Sequence, residues 1–150
     1  MPGQGGSTTE PPAFPDGGAG LVSTVDDYLA FARMLFDGGR HGRERILSRP
    51  AVELMTTDHI TPAQKAASSL GLPGFFETSG WGFGVAVVTH RDDLSATPGR
   101  YFWDGGYGTS WASDPKEDLI GILMTQRMGF PTLSKPYLDF WTGAYQAIDD

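Results

Sequence analysis

Residues 101–126 read YFWDGGYGTSWASDPKEDLIGILMTQ, and this stretch decides the fold. From Tyr107 the residues alternate. Tyr107, Thr109, Trp111 and Ser113 fall on one side of an extended chain, and Gly108, Ser110 and Ala112 fall on the other. Asp114-Pro115-Lys116-Glu117-Asp118 has the chemistry of a turn. Leu119 to Gln126 is then a nearly continuous apolar run, the pattern of a strand buried on both faces in the middle of a sheet. Just upstream, Tyr101 to Trp103 is short and extended, and Gly105-Gly106 separates it from the alternating strand.

Working outward, WGFGVAVVT (81–89) has period two and reads as one further strand. The segments before it are helical. Ser23-Thr24 supplies N-cap candidates, and Val25, Tyr28, Leu29, Ala32, Leu35 and Phe36 share a helical face that ends at Gly38-Gly39. A second helix starts at Ser48 with Pro50 in its first turn and Val52 and Met55 facing inward. Thr61-Pro62 opens a short helix to Ala67, and SSLGLPGFFETSG (68–80) reads as a long loop, either a site rim or a plain surface loop. A last helix begins at Ser134, with Tyr137, Trp141, Ala144, Tyr145 and Ile148 as its apolar stripe. Residues 1–16 are rich in Gly, Pro, Ser and Thr and read as a flexible tail or linker ahead of a folded unit over 17–150. The expected class is α+β, with an antiparallel sheet of three to four strands packed with helices.

Composition narrows the function. The chain has 150 residues, 39% hydrophobic and 12% aromatic, enough for a core of its own. It has no cysteine, which excludes disulfides and thiolate metal sites. A net charge of -7 with no basic cluster argues against nucleic acid and anionic membrane as partners. Arg40, Arg43 and Arg45 are spread through a loop beside Glu44. No apolar run reaches membrane-spanning length. The first twelve residues lack the basic and apolar regions of a signal peptide, which favours a cytoplasmic chain.

Several sites are ruled out by their residues. His41, His59 and His90 stand in separate segments without a ligand-spaced neighbour, so no metal and no other cofactor is called for. His59 beside Asp58 reads as a surface histidine rather than a general base. The chain's one S-x-x-K, Ser113 to Lys116, runs from a strand end into a turn, whereas a lysine activating a serine must lie one helical turn away. What remains is WDGGYGT (103–109). By itself it is either a glycine turn that starts a strand or one wall of an active site. In the second case Trp103 walls a pocket, Asp104 holds a partner or a water, and the unobstructed amides at Gly105 and Gly106 face a developing oxyanion.

The runs GGAGLVSTVDDYLAFARMLFDGG, ILSRPAVELMTT, GWGFGVAVV and PGRYFWDGGYGTSWASDPKEDLIGILMTQ, in this order, resemble the C-terminal half of class C β-lactamase-like serine hydrolases, which include carboxylesterases and penicillin-binding relatives. The likeness covers about residues 11–150 and implies an antiparallel sheet flanked by helices. It implies that Trp103-Asp104-Gly105 is the family's third motif, and that the Gly106 backbone amide helps form the oxyanion hole. Trp103, Tyr107 and Thr109 would then touch substrate. The family's S-x-x-K on a helix and Y-x-N have no counterpart, since the chain contains no Asn. The nucleophile is therefore expected to come from outside these 150 residues, and the chain alone to be inactive. Trp103 stands where penicillin-recognising members carry Lys, which tilts the expected substrate towards a small ester rather than a β-lactam. The resemblance also implies that Leu119–Gln126 loses a partner strand. The expected partners are a second copy of the chain or a complementary N-terminal half. The other readings are a non-catalytic binding or assembly module that uses the WDGG groove or the same edge, and a truncated gene product.

Overall fold

The computed structural model describes residues 21–68, 73–127 and 134–149. The first two folded segments are helical because their N-termini are capped. The Thr24 side chain accepts from the Asp27 N–H at the start of helix α1 (Val25–Phe36), and Ser48 accepts from Ala51 N–H at the start of helix α2 (Arg49–Met55). Between them, residues expected as loop form a two-residue hairpin, strand β1 (Arg40–His41) against strand β2 (Glu44–Arg45). Strands this short have no periodicity to read. Thr61 and Gln64 form a complete capping box on helix α3 (Pro62–Ala67). The expected loop at 68–80 contains a single turn of helix, α4 (Phe75–Thr78). Helix α5 (Lys135–Gln146) starts after Ser134, as the sequence predicts.

The sheet has five strands in simple antiparallel order, against an expectation of three to four. They are β3 (Ser79–Trp81), β4 (Ala86–Val88), β5 (Tyr101–Gly105), β6 (Thr109–Asp114) and β7 (Leu119–Met124). The extra strand comes from the stretch read as one strand over 81–89. Gly82 N–H donates to the Val85 carbonyl and Gly84 turns with φ +82°, so the chain folds back and Trp81 pairs with Ala86. The tail expected over residues 1–16 lies outside the described residues.

Alternation along the strands creates two cores. Val87, Tyr101 and Trp111 pack under α1 and α2 with Ala32, Leu35 and Val52. Their neighbours Ala86, Phe102 and Ala112 face Trp141 and Tyr145 of α5. The α5 core carries buried polar ties. Trp141 Nε1 donates to Ser110 Oγ at 3.1 Å, and the Tyr145 hydroxyl donates to Asp114 Oδ2 at 2.7 Å. The other oxygen of Asp114 accepts from the Lys116 N–H and so holds the 115–118 turn.

The two edges of the sheet differ. Along β3, the His59 N–H donates to the Trp81 carbonyl at 2.9 Å, Asp58 Oδ1 accepts from the Trp81 N–H at 3.0 Å, and Lys65 Nζ donates to the Ser79 carbonyl at 3.2 Å. Burial pushes the Asp58 carboxyl up, but bonds from Lys65, Trp81 and Ile60 outweigh it and hold the group below the usual carboxylate range. No such cover lies on β7, which pairs with β6 alone among the described residues. The mid-sheet pattern read over 119–126 is therefore corrected, and the edge expected from the loss of a partner strand is what the described residues show. Most of β7 is only half-buried, with Gly121 its one buried position.

At Gly121 the Trp141 ring lies on the backbone, and a Cβ would sit 2.6 Å from Cζ3 and 2.7 Å from Cη2. Gly121→Ala should destabilise the chain by about 1–3 kcal/mol through overpacking. Gly143→Ala, where a Cβ on α5 meets nothing within 4 Å, should stabilise it by roughly 0.5–1 kcal/mol. Urea unfolding followed by circular dichroism checks both signs.

Candidate active site

The β5–β6 hairpin is closed by three residues, Gly106, Tyr107 and Gly108, with Gly105 paired to Thr109. The Gly108 N–H donates back to the Gly105 carbonyl at 2.9 Å, and Gly108 has φ +88°, a left-handed conformation that favours glycine. A Cβ there would strike the Arg127 carbonyl and the Thr125 hydroxyl. Thr125 seals the turn: its N–H (3.0 Å) and its hydroxyl (2.7 Å) both donate to the Gly108 carbonyl. Gly105 lies against the Thr109 side chain, whose hydroxyl fills the space a Cβ would take. Gly106 is exposed with nothing within 4 Å of its missing side chain, and its N–H has no acceptor among the described residues. The turn, tied by Thr125 to the end of β7, thus leaves a backbone donor unpaired among the described residues.

Trp103, Gly105, Gly106, Tyr107 and Thr109 come together at this end of the hairpin. Trp103 is 38% and Tyr107 47% exposed. Asp104 faces the other way. The Tyr137 hydroxyl of α5 donates to its Oδ2 at 3.2 Å, while Oδ1 is buried with no hydrogen-bond partner among the described residues. Burial raises the Asp104 carboxyl above its ordinary range, against the opposing pull of Ser110, Tyr137 and the Arg100 guanidinium. Burial and the adjacent Asp104 likewise raise the Tyr137 phenol. Arg100 is itself buried over the Trp141 ring, 4.3 Å from its centroid, and donates to the Ser95 carbonyl at 2.8 Å.

Other candidates resolve simply. Ser113 is fully buried on β6, where its hydroxyl accepts from Trp111 Nε1 at 3.2 Å, and Lys116 is exposed on the turn, so the S-x-x-K match does not assemble a nucleophile. His59 stacks on Phe83 at 4.5 Å and lies 2.6 Å from the Leu54 carbonyl oxygen. Sequence reasoning missed Phe75 and Trp81, whose rings border Trp103, and the Tyr137–Asp104 bond. The GWGFG run held a signal for Trp81; Phe75 had none inside a presumed loop.

The Asp104 carboxyl supplies a pH test. A carboxyl whose folded-state pKa is raised favours folding most when protonated, so this contribution is present at low pH and is lost as pH rises through the folded pKa. Asp104→Asn keeps an acceptor for Tyr137 without the buried charge. It should unfold a few degrees above the parent at pH 7, with the gap closing as pH falls towards 4. Thermal unfolding across pH checks this.

Comparison with known proteins gives the family. Residues 1–140 match the beta-lactamase family. Protein Rv1367c of Mycobacterium tuberculosis (strain H37Rv) is 43% identical over 123 residues, which is 77% of this chain and 30% of that protein. Esterase EstB of Burkholderia gladioli is 31% identical over 120 residues, 77% of this chain and 27% of that protein. Among solved structures, EstCE1, a hydrolase with promiscuous acyltransferase activity, superposes with a TM-score of 0.63 at 29% identity, covering 89% of this chain and 32% of its own. Simvastatin synthase LovD of Aspergillus terreus shares the fold with a TM-score of 0.60 at 17% identity, over 81% of this chain and 32% of its own. The chain therefore spans less than a third of the length of its curated relatives. The antiparallel sheet between helices agrees with the family match, and the chain belongs to the beta-lactamase family.

Proposed function

We propose that this chain supplies the oxyanion wall of an esterase-type serine hydrolase whose nucleophile lies in residues outside it. The observation that carries the reading is the closed turn 105–108, where the Gly106 N–H has no acceptor among the described residues and a Cβ on Gly106 would meet nothing within 4 Å. In the assembled enzyme a serine and its lysine, on S-x-x-K, and the tyrosine of Y-x-N come from an N-terminal half. The serine hydroxyl attacks the ester carbonyl and gives up its proton to the lysine–tyrosine pair. The carbonyl oxygen takes the negative charge and accepts from the Gly106 N–H, the alcohol leaves with a proton, and water then hydrolyses the acyl-serine. Trp103 lines the site with Tyr107 and Thr109, and Asp104 holds the strand from behind through Tyr137. Trp103 gives a substrate carboxylate no cation, which favours neutral esters over β-lactams.

The edge of β7, unpaired among the described residues, supports the partner reading. Covered β3 leaves β7 as the place where an N-terminal strand, or a second copy of the chain, extends the sheet. The alternative, a non-catalytic assembly module, uses the same edge without the Gly106 donor. Reassembly separates the two. Alone, the chain should neither react with a fluorophosphonate probe nor hydrolyse a short-chain aryl ester. Mixed with an N-terminal half of a family member that carries S-x-x-K and Y-x-N, it should restore turnover and probe labelling on that half. Labelling of a serine in this chain, or a tight complex without turnover, would overturn the catalytic reading.

A further inference from the structure

We propose that Trp103, Trp81 and Phe75 form an apolar corner that receives the ring or branched chain of a neutral ester, a specificity element that rests on the hydrolase reading above. The three rings come from separate segments. Trp81 stands on β3, Trp103 on β5, and Phe75 on α4, the short helix that interrupts the expected loop. Trp103 meets Trp81 edge-to-face at 4.6 Å and 85°, and Phe75 edge-to-face at 6.4 Å and 89°. Phe75 also reaches Trp81 and Phe102, each at 6.4 Å. Both Phe75 and Trp81 are anchored against the α5-side core, so the corner has a fixed base.

Trp103 belongs to neither core cluster, and more than a third of it is open to solvent. A tryptophan held edge-on by two rings presents a rigid apolar surface that needs no rearrangement to bind, and another ring packs on it in the same offset or edge-to-face manner. Neither its own side chain nor its two ring neighbours, Phe75 and Trp81, carries a charge, so a carboxylate brought there loses water without gaining a partner. The spacing suits an acyl enzyme. Trp103 stands on β5 and Gly106 opens the turn after it, three residues on, so the two lie within about 10 Å at roughly 3.3 Å per residue. A carbonyl at the Gly106 N–H therefore places its apolar substituent, and not its reacting atoms, against Trp103.

The test needs no turnover. In the full chain with ¹⁵N-labelled indoles, ethyl phenylacetate serves as the neutral probe and phenylacetate as its anionic counterpart. Trp111 and Trp141 are internal controls, because both indole N–H groups are buried and donate to serines of β6. The neutral ester should move the Trp103 and Trp81 signals saturably and leave those two in place, and the anion should bind at least roughly tenfold more weakly. Phe75→Ala should weaken the ester by about three- to tenfold; Phe75→Leu, which keeps the packing volume, should weaken it in the same direction if the alanine variant does not fold. Equal binding of the anion, or shifts that spare Trp103, overturns the assignment. A silent corner in a chain whose reassembled form hydrolyses esters removes the subsite and leaves the hydrolase. A bound probe with no turnover on reassembly upholds the subsite and removes the hydrolase.

Discussion

The turn at residues 105–108 is the constraint on which the site depends. Gly108 can hold φ +88° because it has no Cβ, and the double donation from Thr125 to its carbonyl locks that conformation to the end of β7. Because the turn is closed in this way, Gly105 pairs with Thr109 and the register of β5 against β6 follows down to Tyr101 against Ser113. That register sends Trp111 to one core and Ala112 to the other, and it leaves Trp103 at the open end. The donor at Gly106 and the division of the sheet into two buried faces thus have the same origin.

Much of this was legible in the sequence, and the reasons are physical. The caps at Thr24, Ser48, Thr61 and Ser134 lie where short polar side chains precede apolar periodicity, and helices follow them. Alternation from Tyr107 to Ser113 assigned Trp111 and Ala112 to opposite faces, as found. Where the reading failed, tertiary contacts had decided. Nothing local says that WGFGVAVVT breaks at Gly82, since the break depends on the Gly82–Val85 bond and on Phe83 N–H donating to the Met55 carbonyl. The apolar run of β7 looked like a central strand because composition reports how much a strand wishes to be buried, not whether a neighbour is present.

The site divides in the same manner. Trp103, Gly105, Gly106, Tyr107 and Thr109 are contiguous, so one motif revealed them together. Asp104 sits within that motif, yet its carboxylate serves the far face of the sheet, where it meets Tyr137 some 33 residues onward. A sequence cannot show that without the packing of α5. Phe75 and Trp81 reach the site from α4 and β3, along an edge that Asp58 and Lys65 pin through the Trp81 N–H and the Ser79 carbonyl. One edge of the sheet is thereby closed and, among the described residues, the other is unpaired; that edge is the one nearest in sequence to Thr125 and the turn it seals. Extension of the sheet at β7 would consequently act next to the proposed oxyanion wall.

The central claim is that the Gly106 N–H binds an oxyanion, and one signal reports it. In the protein reassembled with an N-terminal half, with its nucleophilic serine carrying a phosphonate adduct, the ¹⁵N–¹H resonance of Gly106 can be followed directly. The account predicts that this resonance moves downfield and that its hydrogen exchange slows when the adduct forms, as an amide donating to a charged oxygen should. A Gly106 amide that keeps its shift and exchange rate while the serine is fully modified would contradict it.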